Sequence, residues 1–202
     1  MKKTAFAAEQ DRPDVLERRE RWRVEQKSWD ASRMVFIGET GLNTKMSSPC
    51  GWASSSSRCV VKTPHGHWKS STFIGALRAE GMTAPWLLDG AMNGESFLCY
   101  VKTQLAPVLR RGDIVVCDDL SSRKVSGVRE AIESAGAELL YLPPYSPDLN
   151  PIEMAFAKLK SLLRKASART FETLVEALGE ALPKITPSDC RAFCRHANYA
   201  AI

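Results

Sequence analysis

No run of apolar residues in this 202-residue sequence approaches the ~20 that a membrane-spanning helix needs, because Arg, Lys, Asp or Glu interrupts every candidate stretch. Met1 to Glu9 carry basic residues but no sustained apolar region, which argues against a secretory signal. The expectation is a cytoplasmic protein with no membrane partner. The six cysteines, at positions 50, 59, 99, 117, 190 and 194, form no disulfide framework and read as free thiols. Cys190, Cys194 and His196 lack a second ligand pair at finger or ribbon spacing, so they read as helix residues rather than a zinc site. There is no internal repeat, and only Ser54 to Ser57 are low in complexity. Trp22, Trp29, Trp52, Trp68 and Trp86 are not interleaved with basic residues, so they read as core or loop anchors rather than a platform for single strands. His65 and His67 read as loop residues packed near an aromatic.

One local absence is informative. From Met154 to Phe171 there is no acid, while Lys158, Lys160, Arg164, Lys165 and Arg169 supply five positive charges. Such a stretch suits a polyanion, and equally a solvated helix face. The overall composition, 44% hydrophobic and 25% charged, is that of a globular protein.

Hydrophobic patterning gives the order of elements. A charged helix is expected from Pro13 to about Gln26. Met34-Val35-Phe36-Ile37 is a short apolar run that reads as a buried strand ending at Gly38. Residues 46–58 read as loop. A second strand is entered between His67 and Leu77, and a third lies around Met82 to Leu88. A helix follows from about Gly94 to Leu105, then a strand at Ile114 to Cys117, a helix from Val125 to Ala135 and a strand at Leu139 to Leu142, cut off by Pro143-Pro144. The next helix has Asn150 placed to cap it, Pro151 at its first position and Glu153 at its third. Its apolar stripe is Ile152, Ala155, Phe156, Leu159, Leu162, Leu163 and Ala166. Two more helices follow, after Thr170 and after Thr186-Pro187. Three strands that can meander, followed by helical crossovers, describe an α/β fold with one mixed sheet covered by helices.

Two acids stand where such a sheet forms its ligand crevice. Asp118 follows the apolar strand at its carboxyl end, and Glu153 sits in the first turn of a helix, where the dipole favours the ionised carboxylate. At 100° per residue, Lys160 and Arg164 lie within about 20° of the direction of Glu153. An acid for a metal and bases for phosphates then share one surface. A plain helix-start acid is the alternative reading of Glu153.

The local sequence carries more. Leu142 to Glu153, reading LPPYSPDLNPIE, closely resembles the block that bears the third catalytic acid of mariner-like D-D-E transposases and their bacterial insertion-sequence relatives. Asp113 to Asp118 resembles the block of the second acid, and 34 residues lie between Asp118 and Glu153, as in family members that end in Glu. Val35 to Gly41 resembles the first block, but Gly38 stands where the family has Asp. Pro64 to Lys69 and Asp89 to Glu95 are similar to the bacterial group as well. The resemblance runs from about Lys2 to Tyr199.

This resemblance implies an RNase H-like mixed five-stranded sheet flanked by helices, with extra N- and C-terminal helices. It implies a linker helix region at 1–33, the catalytic domain at 34–168, and C-terminal helices at 169–202 packed on that domain. It implies metal-dependent cleavage and strand transfer of double-stranded DNA, on element ends and target, by a homo-oligomer. Clustered carboxylates suit Mg²⁺ or Mn²⁺, because two hard cations ~4 Å apart can stabilise both oxygens of an in-line displacement. Asp118 and Glu153 are the expected metal ligands, and Lys158, Lys160, Arg164, Lys165 and Arg169 the expected DNA contacts.

Departures from the family pattern point to impairment. Gly38 has no side chain, and its neighbour Glu39 points to the other face of a strand, so Glu39 replaces the lost acid only with a local twist or bulge. Asp119 stands where Asn is usual, Arg123 where His is common, and Ser54 to Ser57 where relatives have Pro, Arg and Gly. The sequence is expected to lack the helix-turn-helix region that reads terminal repeats, leaving that role to an intact transposase or a separate polypeptide. Two other readings follow: a non-catalytic DNA-binding remnant, and an RNase H-like nuclease that uses Glu39.

Overall fold

A computed structural model describes residues 8–46, 57–58, 70–120 and 123–199. Five strands form one sheet: β1 (Met34–Asn43), β2 (Ser70–Arg78), β3 (Gly81–Asp89), β4 (Ile114–Cys117) and β5 (Glu138–Tyr141), in the order β3-β2-β1-β4-β5. β1, β2 and β3 pair antiparallel, whereas β1 with β4 and β4 with β5 run parallel. The helices are α1 (Pro13–Glu25), α2 (Gly94–Tyr100), α3 (Val128–Ser134), α4 (Ile152–Ala166), α5 (Phe171–Ala181) and α6 (Pro187–His196).

The apolar run that opens β1 is continuous because both faces of the sheet are covered. Met34 and Phe36 enter one core with Ile152, Phe156 and Leu159 of α4 and with α5 and α6. Val35 and Ile37 enter the other, with Phe97 and Tyr100 of α2 and Ile132 of α3. Val116 of β4 joins the first core, and Val115 and Cys117 join the second. The sheet is the middle of three layers.

Three local expectations shift. β1 does not end at Gly38 but runs on to Asn43, because β2 offers it a backbone ladder from Gly38↔Gly75 to Asn43↔Ser70. Ladder pairing requires no side chain, so the glycines did not stop the strand. α3 begins at Val128 rather than Val125, since Gly127 just before it takes φ 91°, a left-handed conformation that suits glycine. The helix expected to reach Leu105 is α-helical to Tyr100 and continues through Leu105 as a π-turn. Pro85 lies in β3, an edge strand where a missing N–H is tolerated.

The N- and C-terminal helices share the main core. Trp22 of α1 is buried, donates from Nε1 to the Tyr199 hydroxyl at 3.1 Å and meets Trp29 edge-on. Leu174, Leu178, Cys190 and Phe193 bring α5 and α6 into the same cluster. Among the described residues, no helix is long and apolar enough to cross a membrane.

Candidate active site

The carboxyl ends of β4 and β5 open into a cleft of about 380 Å³ whose walls include Asp118, Asp119, Pro143, Pro144, Asn150 and Glu153. Asp118 is there because it is the first residue after β4. Glu153 is there because the chain leaving β5 turns back through a short 3-10 helix (Pro147–Leu149) and starts α4 over the strand ends. The two predicted acids therefore share one pocket, although no contact between them was visible in the chain order.

The turn that delivers Glu153 is tied down on several sides. Arg19 of α1, nearly fully buried, forks onto the Asp148 carboxylate at 2.9 and 2.7 Å and donates to Ser146 Oγ at 2.7 Å. The Tyr199 hydroxyl donates to the Leu149 carbonyl at 2.9 Å. Asn150 differs from expectation. Its side chain does not cap α4; instead Nδ2 donates to the Ile37 carbonyl at 3.2 Å, while its own carbonyl accepts from Glu153 N at 3.1 Å. The reason is burial: Asn150 is turned inward, and a buried β1 carbonyl is within its reach. The helix start is thereby fixed to β1 beside Gly38.

Both acids hold protons more tightly than usual. Burial pushes the Asp118 carboxyl up, against the pull of the Arg123 charge, and Glu39 adds to the rise. Glu153 is pushed up by desolvation and then by Asp118, while Lys160 pulls it down. The residue as a whole is exposed, so crowding around the carboxyl, rather than loss of all solvent contact, accounts for the direction. Lys160 follows Glu153 by two turns of α4 and so lies on the same side of that helix.

Gly38 lies under α4. A Cβ at this position would stand 2.7 Å from Ile152 Cγ2 and 2.8 Å from Phe156 Cε2, closer than real Cβ atoms come. Position 38 thus faces the side of the sheet from which Glu153 approaches, but packed hydrocarbon fills the space a side chain would need. Glu39 takes the opposite face. Its Oε2 lies 3.5 Å from Nη2 of Arg123.

Arg123 is the residue that sequence reasoning undervalued. It is 1% exposed, its Nε lies 2.9 Å from Asp118 Oδ1, its Nη1 contacts Cys117 Sγ at 3.5 Å, and its guanidinium carbon sits 5.5 Å from the Phe97 ring centre. Burial pushes the Cys117 thiol up to about 11, with the Arg123 charge opposing the rise. The sequence marked it only as an Arg where the family commonly has His, five places after Asp118, and neither feature reveals its buried seat. Asp119, by contrast, turns aside to pair with Lys124.

The expected basic face divides. Lys158 is engaged at 2.6 Å by Asp189, whose carboxyl is held at about 2 by that hydrogen bond and by Thr186. Arg169 donates to the Thr44 and Met46 carbonyls at 3.2 and 3.4 Å. Lys160, Arg164 and Lys165 make no side-chain hydrogen bond or ion pair with described residues, and they keep solvent contact. Cys190 and Cys194 are buried free thiols, and among the described residues no three His, Cys, Asp or Glu side chains converge to hold a metal. His65, His67, Trp52, Trp68, Ser54 to Ser56 and the Pro64 to Lys69 block lie outside the described residues.

A five-stranded mixed sheet with acids at its carboxyl edge is the RNase H-like architecture of transposase catalytic domains, and comparisons agree. The Mos1 transposase paired-end complex with left transposon end matches with a TM-score of 0.72 at 18% identity, over 98% of this chain and 67% of that one. This chain thus spans about two thirds of that transposase. The catalytic domain of Mos1 mariner transposase matches with a TM-score of 0.64 at 15% identity, over 98% and 91% of the two chains. The structure of the Mos1 transposase catalytic domain and Raltegravir with Mg matches with a TM-score of 0.61 at 17% identity, over 91% and 84%. No curated protein matches the sequence. The family model described as DDE superfamily endonuclease matches residues 33–175, a span that holds Gly38, Asp118, Arg123 and Glu153. With more than half of its length under that match, and its acids brought to one cleft, the chain belongs to the DDE superfamily endonuclease family.

Proposed function

We propose that this chain is the catalytic-domain portion of a mariner-like transposase, built for cleavage and strand transfer of DNA, and that this copy binds DNA but is severely impaired in cleaving it. The observation that carries the reading is the shared cleft of Asp118 and Glu153 beside a position 38 that has no side chain and no room for one. Residues 34–168 form the catalytic unit in this reading, residues 1–33 a linker region, and 169–202 a C-terminal buttress.

Family membership implies dependence on a divalent metal, Mg²⁺ or Mn²⁺, when the acid set is intact. The residues present do not fit a two-metal centre. Asp118 and Glu153 remain, the first Asp is replaced by Gly38, and the Asp118 carboxylate already faces a guanidinium. Loss of one ligand that removes ~4 kcal/mol of transition-state stabilisation slows the reaction roughly a thousandfold.

DNA engagement rests on Lys160, Arg164 and Lys165, with Lys158 and Arg169 as secondary contacts because the protein itself already uses them. Element ends and target DNA are the substrates in this reading, bound by a homo-oligomer. A non-catalytic DNA-binding remnant is the second reading, favoured by the hydrocarbon packed against Gly38.

The test uses duplex DNA carrying the element's terminal repeats, with a recognition module fused to the chain, in Mg²⁺ and in Mn²⁺. Salt-sensitive binding without cleavage is the expected result. Gly38→Asp alone remains inactive because the new side chain meets Ile152 and Phe156, whereas Gly38→Asp with Ile152→Ala and Arg123→Gln, which also frees Asp118 from the guanidinium it faces, recovers cleavage. Efficient cleavage by the unaltered chain would show that it is not impaired and that another acid, Glu39 first, serves. No recovery in the triple variant supports the remnant reading, and absence of salt-sensitive binding defeats both.

A further inference from the structure

Glu39 and Asp118 meet at one end of the sheet through Arg123, with Glu153 in the same cleft as Asp118, and acids gathered this way need a cation to offset their repulsion. The fold already contains one. Arg123 is 1% exposed, lies 2.9 Å from Asp118 Oδ1 and 3.5 Å from Glu39 Oε2, and sits over the face of Phe97, whose ring favours a cation. A guanidinium does not lose its proton in a protein, so this charge is permanent.

The contact has the character of an ion among carboxylates rather than a hydrogen-bonded fork. Asp118 Oδ1, Glu39 Oε2 and Arg123 Nε are all buried, and none has a hydrogen-bond partner of acceptable geometry. Nε faces Asp118 Oδ1 and Nη2 faces Glu39 Oε2, so the two carboxylates are drawn to the guanidinium by charge. Arg123 is also absent from the walls of the cleft, so it lies behind the acids and out of reach of a DNA phosphate. A divalent ion binding Asp118 at the roughly 2.0–2.6 Å typical of hard cations would come to rest against this fixed positive charge.

We propose that Arg123 is the resident cation of this acid cluster: its guanidinium neutralises Asp118 and Glu39 in place of a divalent metal, so the domain holds its acids together without Mg²⁺ or Mn²⁺. The proposal rests on reading the cluster as a DDE acid site, and it goes further by giving the site a different counter-ion. It also explains why Gly38 is compatible with a folded domain. With the charge supplied from the α2 side of the sheet, no ligand is needed from position 38, and Ile152 and Phe156 can close over the glycine.

Two metal-binding readouts independent of activity test it: titration of Mn²⁺ followed by its electron paramagnetic resonance signal, and thermal melting in EDTA against excess Mn²⁺. The unaltered chain is expected to leave Mn²⁺ free and to melt at the same temperature in both buffers. Stoichiometric Mn²⁺ uptake, with a rise of roughly 5–10 °C as for a ligand at about a hundred times its Kd, would overturn the proposal. Arg123→Gln is expected to melt lower in EDTA and to gain a Mn²⁺-dependent rise, whereas Arg123→Lys keeps a charge and gains none. If Arg123→Gln folds and still ignores Mn²⁺, or if Arg123→Lys takes up the ion, the guanidinium is not the reason and the idea fails. Should Arg123→Gln not fold in EDTA, folding on addition of Mn²⁺ counts for the proposal and continued unfolding counts against it. DNA binding by the unaltered chain is measured separately, so failure here leaves the transposase reading to its own experiment.

Discussion

Two arginines meet buried or half-buried carboxylates at opposite ends of the same sheet, with opposite outcomes. Where β2 ends and β4 begins, Arg78 forks onto Asp113 at 3.1 and 2.5 Å, and Asp113 also accepts from Arg110 N at 2.6 Å. Burial works to raise the Asp113 carboxyl, but the Arg78 hydrogen bonds and the Arg110 N–H outweigh it and hold it below the ordinary range. Where β4 ends, Arg123 approaches Asp118 to 2.9 Å, yet burial prevails and the Asp118 carboxyl is raised. The difference lies in hydrogen-bond geometry rather than in charge. A carboxylate whose lone pairs are satisfied is held ionised by the fold, and one left unsatisfied in partial burial keeps its proton more tightly.

The largest expected effect comes from breaking the satisfied end. Arg78→Met strands a buried Asp113 carboxylate and should cost about 3–5 kcal/mol, read from urea unfolding. A loss as small as that of an exposed ion pair would mean that Asp113 escapes to solvent or takes up a proton, and the contrast would weaken.

The next effect is a difference of sign. The depressed Asp113 contributes stability above its unfolded value near 3.8 and loses it as pH falls through the lower folded value. The raised Asp118 does the reverse: its contribution is complete below 3.8 and is lost as pH rises through the raised folded value. Relative to the unaltered chain, Asp118→Asn should therefore fare better at neutral than at acid pH, and Asp113→Asn worse. Melting temperatures of both variants between acid and neutral pH check this, and parallel shifts would remove the distinction.

Overpacking sharpens the picture at the candidate site. Gly38→Asp should lower stability by roughly 1–3 kcal/mol, because Ile152 and Phe156 must move. Adding Ile152→Ala should return part of that loss, and a neutral Gly38→Asp would show that α4 shifts freely.

The smallest effect separates two lysines on one helix. Lys160→Ala should reduce the salt slope of duplex binding by about one, as for a single phosphate contact. Lys158→Ala should change it less and cost more stability, because Lys158 is paired with Asp189. Equal slopes would mean that Lys158 leaves Asp189 for DNA.

Much of this was legible in the chain. Asp118 and Glu153 could be picked out because each sits at a boundary that local sequence marks: the end of an apolar run and a helix start flagged by Pro151. The element order and the covered sheet followed from patterning of the same local kind. The seat of Arg123, the inward turn of Asn150, the pairing of Lys158 with Asp189 and the extension of β1 past Gly38 could not be read, since each depends on a partner from a distant segment or another element.

The sequence by itself determined which elements form, which acids bracket the crevice, and that position 38 offers no ligand, because these depend on side-chain type and short-range order. Only the tertiary structure decided what replaced the missing acid. Packing laid Ile152 and Phe156 against Gly38, and burial brought a permanently charged guanidinium to carboxylates on neighbouring strands. Such contacts arise from the approach of surfaces remote in the chain, where space and charge balance are settled together.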